Sequence, residues 1–201
     1  MIKFPRIDDG FFARLKNAVQ CLKNSEHDIY FEAYPHFIHF FSSKQEISIQ
    51  DFYVGAYFTY GWMPRIPKIN LIDSEKILEL LNQVKAKKEL PIEELRQLQT
   101  TINGSIVGAS KLLHFIRPDL YPIWDSNIAK HFHDEYKIHT YQVNDLNTYI
   151  DYFKFIHQVI QHEDFKKLFQ NISSHFKYNI SITPVRALEV TIFTFERNKK
   201  S

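Results

Sequence analysis

The sequence predicts a mainly α-helical protein, a single compact domain over residues 1–201 with about eight to ten helices and no substantial sheet. Apolar residues recur at three- and four-residue steps through most of the chain, whereas the strict alternation of a half-buried strand is scarce. Residues that start and stop helices stand at the ends of these periodic runs. Composition supplies the core. With 201 residues, 44% of them hydrophobic and 24% charged, the chain is long enough for one core. Its 18 Phe and 11 Tyr against 5 Gly make that core largely one of packed rings.

The first helix is expected over residues 9–23, with Phe12, Leu15, Val19 and Leu22 on one stripe. An aromatic-rich segment follows at 30–41, interrupted by Pro35. Ser48 has the chemistry of an N-cap for residues 49–60, and Gly61, Pro64 and Pro67 close that helix and open the irregular stretch GWMPRIPKIN. Asp73 caps 74–87, whose Ile77, Leu78, Leu81 and Val84 face inward, while Lys85, Lys87 and Lys88 gather at the negative end of the helix dipole. Pro91 begins a helix to residue 103, stopped by Gly104, and residues 105–116 form the next, ended by Pro118. Asp125 or Ser126 caps a helix through residue 136, and Asn144 or Asp145 begins a long one carrying Leu146, Tyr149, Ile150, Phe153, Ile156 and Ile160. Residues 163–176 follow. The pair Thr183-Pro184 then starts the last helix, 185–197, and a short basic tail of Arg197, Lys199 and Lys200 ends the chain.

Several function classes fall away on composition. The one cysteine, Cys21, excludes an internal disulfide and sits on an apolar position of a helical pattern, which favours a reducing compartment. The start, MIKFPRIDDG, breaks too early for the apolar core of a signal peptide, and no run approaches the roughly 18 apolar residues of a membrane span. A cytoplasmic protein without a membrane partner is therefore expected. The formal charge of +2 decides nothing about nucleic acid by itself. A P-loop, a dinucleotide fingerprint, a nucleophile elbow and a cysteine pair are all missing, so nucleotide-hydrolysing, dehydrogenase, hydrolase and thiol-redox readings have no anchor. Ten histidines invite a metal reading. His131 and His133, however, point to different faces of a helix, and His36 and His39 have helical spacing without an acidic or cysteine partner nearby. No metal and no cofactor is expected.

Residues 103–132 read NGSIVGASKLLHFIRPDLYPIWDSNIAKHF: a glycine-broken turn, a helix with Lys111 near its start, a proline-bounded loop and an aspartate placed to open the next helix. This stretch resembles the helix-hairpin-helix DNA glycosylase superfamily, in which a lysine begins the helix after a glycine-rich hairpin and an aspartate opens a later one. VGAS stands here where that family has a proline, glycine, apolar, glycine hairpin, and PIWDSNI echoes its proline, apolar and aspartate pattern. The resemblance implies DNA as partner, Lys111 as the amine nucleophile on the sugar carbon of a flipped nucleotide, and Asp125 as the supporting carboxylate. Trp62, His114, Trp124 and Arg186 join them as candidate binding residues, Trp62 or Trp124 to hold a flipped base at the rim of one cleft.

Two shorter islands, YGWMP at 60–64 and PVRALE at 184–189, resemble segments of uncharacterised bacterial proteins. Arg186 and Glu189 are spaced for an intrahelical pair, and an arginine near a helix start calls for a specific anion, Asp125 being one candidate. The competing structural account makes Asp125 an N-cap, Lys111 a solvated helix lysine, and Trp124 and His114 core or boundary residues. The alternative function is a non-catalytic helical nucleic-acid-binding or protein-interaction domain. Its basic face would draw on Lys111, Arg117, Lys130, Lys137 and the tail, diluted by Asp119, Asp134 and Glu135. An interaction protein would instead show an exposed apolar patch. The base or lesion and the oligomeric state are not encoded in any motif.

Overall fold

A computed structural model of the chain describes residues 3–24, 29–63, 66–133, 140–176 and 182–199. The protein is mainly α-helical. Among the described residues the order is α1 (Asp9–Val19), a 3₁₀ turn (Gln20–Asn24), α2 (Ile29–Ser42), α3 (Ile49–Gly61), α4 (Ser74–Lys85), α5 (Ile92–Thr101), α6 (Ile106–Ile116), α7 (Ser126–His131), α8 (Thr140–Val143), α9 (Leu146–Gln161), α10 (Glu163–Ser174) and α11 (Pro184–Asn198). The described residues contain no strand, only an isolated antiparallel bridge between Ile69 and Ile102. No described helix is long and apolar enough to cross a membrane.

Most helix starts lie where local chemistry puts them. The side chains of Asp8, Ser48, Asp73, Asp125, Asp145 and Thr183 each accept from a backbone N–H of the first turn, and Ser48 with Asp51 completes a reciprocal capping box. The ends differ more. α1 tightens into the 3₁₀ turn at Gln20 rather than running to residue 23. Pro35 lies inside α2 without ending it: Phe31, Ile38 and Phe41 are buried on both sides of the proline, and that burial outweighs one lost backbone hydrogen bond. α4 stops at Lys85, because Lys87 adopts a left-handed backbone (φ 70°). α7 stops at His131; its expected extension to Tyr136 lies outside the described residues, as do Pro64, Asp134, Glu135, Lys137 and Lys200. α8 is an element the apolar pattern did not announce.

The chain divides into two compact units, one of Met1–Glu32 with Trp124–Ser201 and one of Ala33–Ile123. In the first, α11 is the central helix, packed by α1, α7, α9 and α10, and every residue from Val185 to Ile192 is buried. In the second, α6 is central, packed by α3, α4 and α5, and every residue from Gly108 to Ile116 is buried. A helix enclosed on all sides has no solvated face. Lys111 and His114 on α6 and Arg186 and Glu189 on α11 are for that reason interior groups.

The second unit closes α3 onto α6 through glycines. A Cβ on Gly108 would collide with the Tyr60 ring and hydroxyl, and one on Gly55 with the Phe41 ring. Asn70 N donates to Thr101 O at 2.9 Å and Asn103 N to Lys68 O at 2.8 Å, so part of the irregular segment after α3 is pinned against the turn that precedes α6.

Candidate functional site

In the second unit the turn before α6 is made by two consecutive left-handed residues, Asn103 and Gly104 (both φ 61°), after which Ser105 caps the helix. Lys111 follows in the second turn. It is only 7% exposed, which rules out the solvated helix lysine and removes it from any basic surface face. Its Nζ lies 5.4 Å from the centre of the Trp62 ring, a cation–π contact made in a largely desolvated place. Trp62 is the residue directly after α3 and is half-buried, with its indole nitrogen inside.

His114, one turn beyond Lys111, is fully buried and held at both nitrogens. Nδ1 is 2.6 Å from the Tyr121 carbonyl oxygen, which can only accept, so Nδ1 carries the proton; in the neutral ring Nε2 then accepts from the Tyr34 hydroxyl at 2.8 Å. Tyr121 is the hub of this part: its hydroxyl accepts from Leu90 N at 2.8 Å and donates to Lys88 O at 3.3 Å. Burial, foremost, pushes the Tyr121 phenol up to about 12, and it stays neutral. Tyr34 and Tyr121 were not among the residues expected to matter, because neither belongs to a local motif.

In the first unit Asp125 is the N-cap of α7, its Oδ1 accepting from Asn127 N at 2.9 Å and Ile128 N at 3.0 Å. Trp124 beside it is fully buried. Its indole N–H donates to Val143 O at 2.7 Å, and its ring lies 4.9 Å from that of Tyr152. A base-holding position at a rim is therefore closed to Trp124, and Trp62 is the tryptophan with exposed surface. Arg186 and Glu189 form a buried ion pair one turn apart on α11. Tyr152 lies within their field. Burial and then the charges of Glu189, Asp125 and Tyr149, opposed by Arg186, keep its phenol neutral well above the ordinary tyrosine range. Its hydroxyl is buried without a hydrogen-bond partner among the described residues. Of the two residues expected to carry chemistry, Lys111 thus belongs to the second unit and Asp125 to the first.

His131 and His133 have ordinary partners. His131 Nδ1 is 2.9 Å from Glu196 Oε1, which Lys199 also reaches at 2.6 Å, and His133 meets Gln142. No group of three metal-binding side chains is found among the described residues. Arg117, expected on a basic face, is paired with Asp119 at 3.0 Å.

Glu196 gives a pH prediction. Burial pushes its carboxyl up, but the hydrogen bonds from His131 and Lys199 outweigh burial and hold it below the ordinary 4.5. A depressed carboxyl contributes stability that is fully present above its unfolded value and is lost as pH falls through the folded one. Glu196→Gln is expected to lower the urea midpoint at pH 6–7, roughly the middle of the range of maximal stability, and to converge with the parent below pH 4.5. An unchanged difference across that range would exclude the titration.

No curated protein and no solved structure matches this chain. A family model matches residues 69–196, a segment that includes α4 to α7, the Lys111 turn, the Asp125 cap and most of α11. The chain belongs to that family, a family of unknown function (DUF6308).

Proposed function

We propose that the chain acts on DNA as a base glycosylase-like protein, with Lys111 as the amine nucleophile and Asp125 as the supporting carboxylate. The setting of Lys111 carries this reading. A lysine is costly to enclose, yet this one sits in the interior helix of its unit, directly after a left-handed Asn103-Gly104 turn and against Trp62. An amine withdrawn from water is the residue type that Schiff-base chemistry uses. Asp125 opening α7 supports the same reading, because the family it resembles has an aspartate at a helix start.

The chemistry is a displacement. The Lys111 amine forms a bond to C1′ of the nucleotide as the bond from C1′ to the base breaks; the amine loses a proton, and the departing base takes one up. Asp125 lowers the energy of the positive charge that develops on the sugar. Ring opening then gives an imine that borohydride reduces to a stable secondary amine. The test is borohydride trapping on duplexes carrying an abasic site, uracil or an oxidised guanine. A covalent adduct that Lys111→Ala abolishes and Asp125→Asn slows by about 10²-fold or more is expected. Absence of both adduct and base release on every duplex would overturn the reading.

A second reading, a non-catalytic interaction domain, is favoured by α3. Tyr53, Val54 and Tyr57 lie on one face of that helix, 42%, 50% and 56% exposed. Loss of trapping together with concentration-dependent association through this face would favour it.

A further inference from the structure

Lys111, His114 and Phe115 share one side of α6, because residues three and four apart are neighbours on a helix. Two rings cover this group of three. Trp62 lies against Lys111 and Phe115, its ring 5.4 Å from the amine and 5.3 Å from the phenylalanine. Tyr34, from α2, lies against His114 and Phe115 at ring separations of 5.7 and 6.1 Å. The Tyr34 phenol and the Lys111 amine therefore belong to adjoining patches of one helix face.

Tyr34, Tyr60 and Tyr121 all pack about this helix, and their hydroxyls are used differently. Tyr60 is enclosed and donates to Ile102 O at 3.4 Å. Tyr121 is enclosed as well and donates to Lys88 O, and burial above all keeps its phenol neutral up to about 12. Tyr34, by contrast, is half-buried and has an imidazole as its acceptor. Phenol, imidazole and carbonyl follow one another in the order of an activated hydroxyl, its base, and the group that orients the base. With Nδ1–H on Tyr121 O at 2.6 Å, Nε2 is the basic nitrogen, and it stands 2.8 Å from the Tyr34 hydroxyl. The orienting carbonyl is itself held, since the side chain of Tyr121 is tied to Leu90 N and Lys88 O.

We infer that Tyr34 is the acid–base residue of the Lys111 site and that His114 is the group with which it exchanges its proton. Its part in the reaction rests on the glycosylase-like reading; the Tyr34–His114 dyad stands on geometry.

One proton then serves both halves of the displacement. As the amine bonds to C1′ it gives a proton to the Tyr34 oxygen, whose own proton passes to His114 Nε2. As the base departs, His114 returns that proton to Tyr34, and Tyr34 delivers one to the nitrogen of the leaving base. Nothing is consumed, and the imidazolium exists only between the two transfers.

Acetylation by N-acetylimidazole tests the dyad without DNA. The phenol oxygen bonds to the acetyl carbon as imidazole leaves; the phenol proton goes to His114, and the leaving imidazole takes one from water. By peptide mass spectrometry near neutral pH, Tyr34 is expected to react at least about tenfold faster than Tyr57. Exposure alone predicts the reverse, since Tyr57 is 56% exposed and Tyr34 is half-buried. His114→Gln should bring Tyr34 below Tyr57 and leave Tyr57 unchanged. Tyr34 slower than Tyr57 in the parent, or unaffected by a folded His114→Gln, would overturn the dyad.

Tyr34→Phe supplies the second arm. It should slow borohydride trapping by about 10²-fold on the duplex that the parent traps, with duplex affinity unchanged. Trapping that depends on Lys111 yet proceeds at the parent rate in Tyr34→Phe retains the glycosylase-like chemistry and removes Tyr34 from it. Fast acetylation of Tyr34 in a parent that traps no duplex retains the dyad and removes that chemistry.

Discussion

Glu189→Ala is expected to destabilise the protein by about 3–5 kcal/mol, seen as a lower urea midpoint with little change in slope. Glu189 and Arg186 are each almost wholly enclosed, and both lie on α11, the helix around which the first unit is packed. An exposed pair at this spacing contributes only about 0.2–0.5 kcal/mol. Here the magnitude comes from desolvation. Removing the carboxylate takes from an enclosed guanidinium the counter-charge one turn away on the same helix, and arginine has no accessible neutral form. The control is the double replacement Arg186→Met with Glu189→Leu, expected within about 1–2 kcal/mol of the parent because apolar side chains of similar volume remove both charges together. A single replacement costing under about 1 kcal/mol would mean that water reaches the pair.

The same cluster bears on Tyr152. Its phenol is kept neutral first by burial and then by carboxylate charge, and Arg186 works in the opposite direction. With its folded value raised above 10.0, Tyr152 contributes stability at neutral pH that is lost as pH rises above the unfolded value. Alkaline unfolding is thus a property that the interior of this unit shares with Tyr121 in the other.

How much of this was legible follows from the range of each interaction. Helix starts were readable because an N-cap is chemistry between residues two or three apart, as Asp73 with Lys76 and Asp145 with Thr148 illustrate. Helix ends were less so. The left-handed Lys87 closes α4 through local backbone bonds, Lys87 N to Val84 O at 2.9 Å and Lys88 N to Gln83 O at 3.0 Å, on a residue type that does not announce a stop, and the 3₁₀ turn after Val19 has no stop residue either. Lys111 could be singled out by its position after the glycine turn, but its burial could not. A lysine on a three-four pattern is solvated or enclosed according to how many helices surround its own, and that number is tertiary. Likewise His114 was a candidate, while its partner Tyr34 lies 80 residues away. The ring packing was the least legible part. Phe37 and Phe58, whose rings stack, come from two different helices, and in a chain with 18 phenylalanines nothing local marks which of them meet.

Trp124→Ala carries the other large effect, about 3–5 kcal/mol, because it removes one of the largest fully enclosed side chains of the first unit. Three contributions add here. The ring's transfer from water is lost, the cavity leaves Tyr152 without its aromatic neighbour at 4.9 Å, and Val143 O loses the 2.7 Å hydrogen bond from the indole. Trp124→Phe separates them. It keeps most of the ring burial and deletes the donor, so its cost should fall to about 1–3 kcal/mol, the penalty of an unsatisfied buried carbonyl with a small cavity. A Phe variant as damaging as the Ala variant would assign the stability to the hydrogen bond rather than to the ring. Position links this to the proposed chemistry, since Trp124 directly precedes the Asp125 cap and anchors the chain to α8 just before α7 begins. Trp124→Phe should therefore slow borohydride trapping, and trapping at the parent rate would show that the Asp125 cap is positioned without the indole.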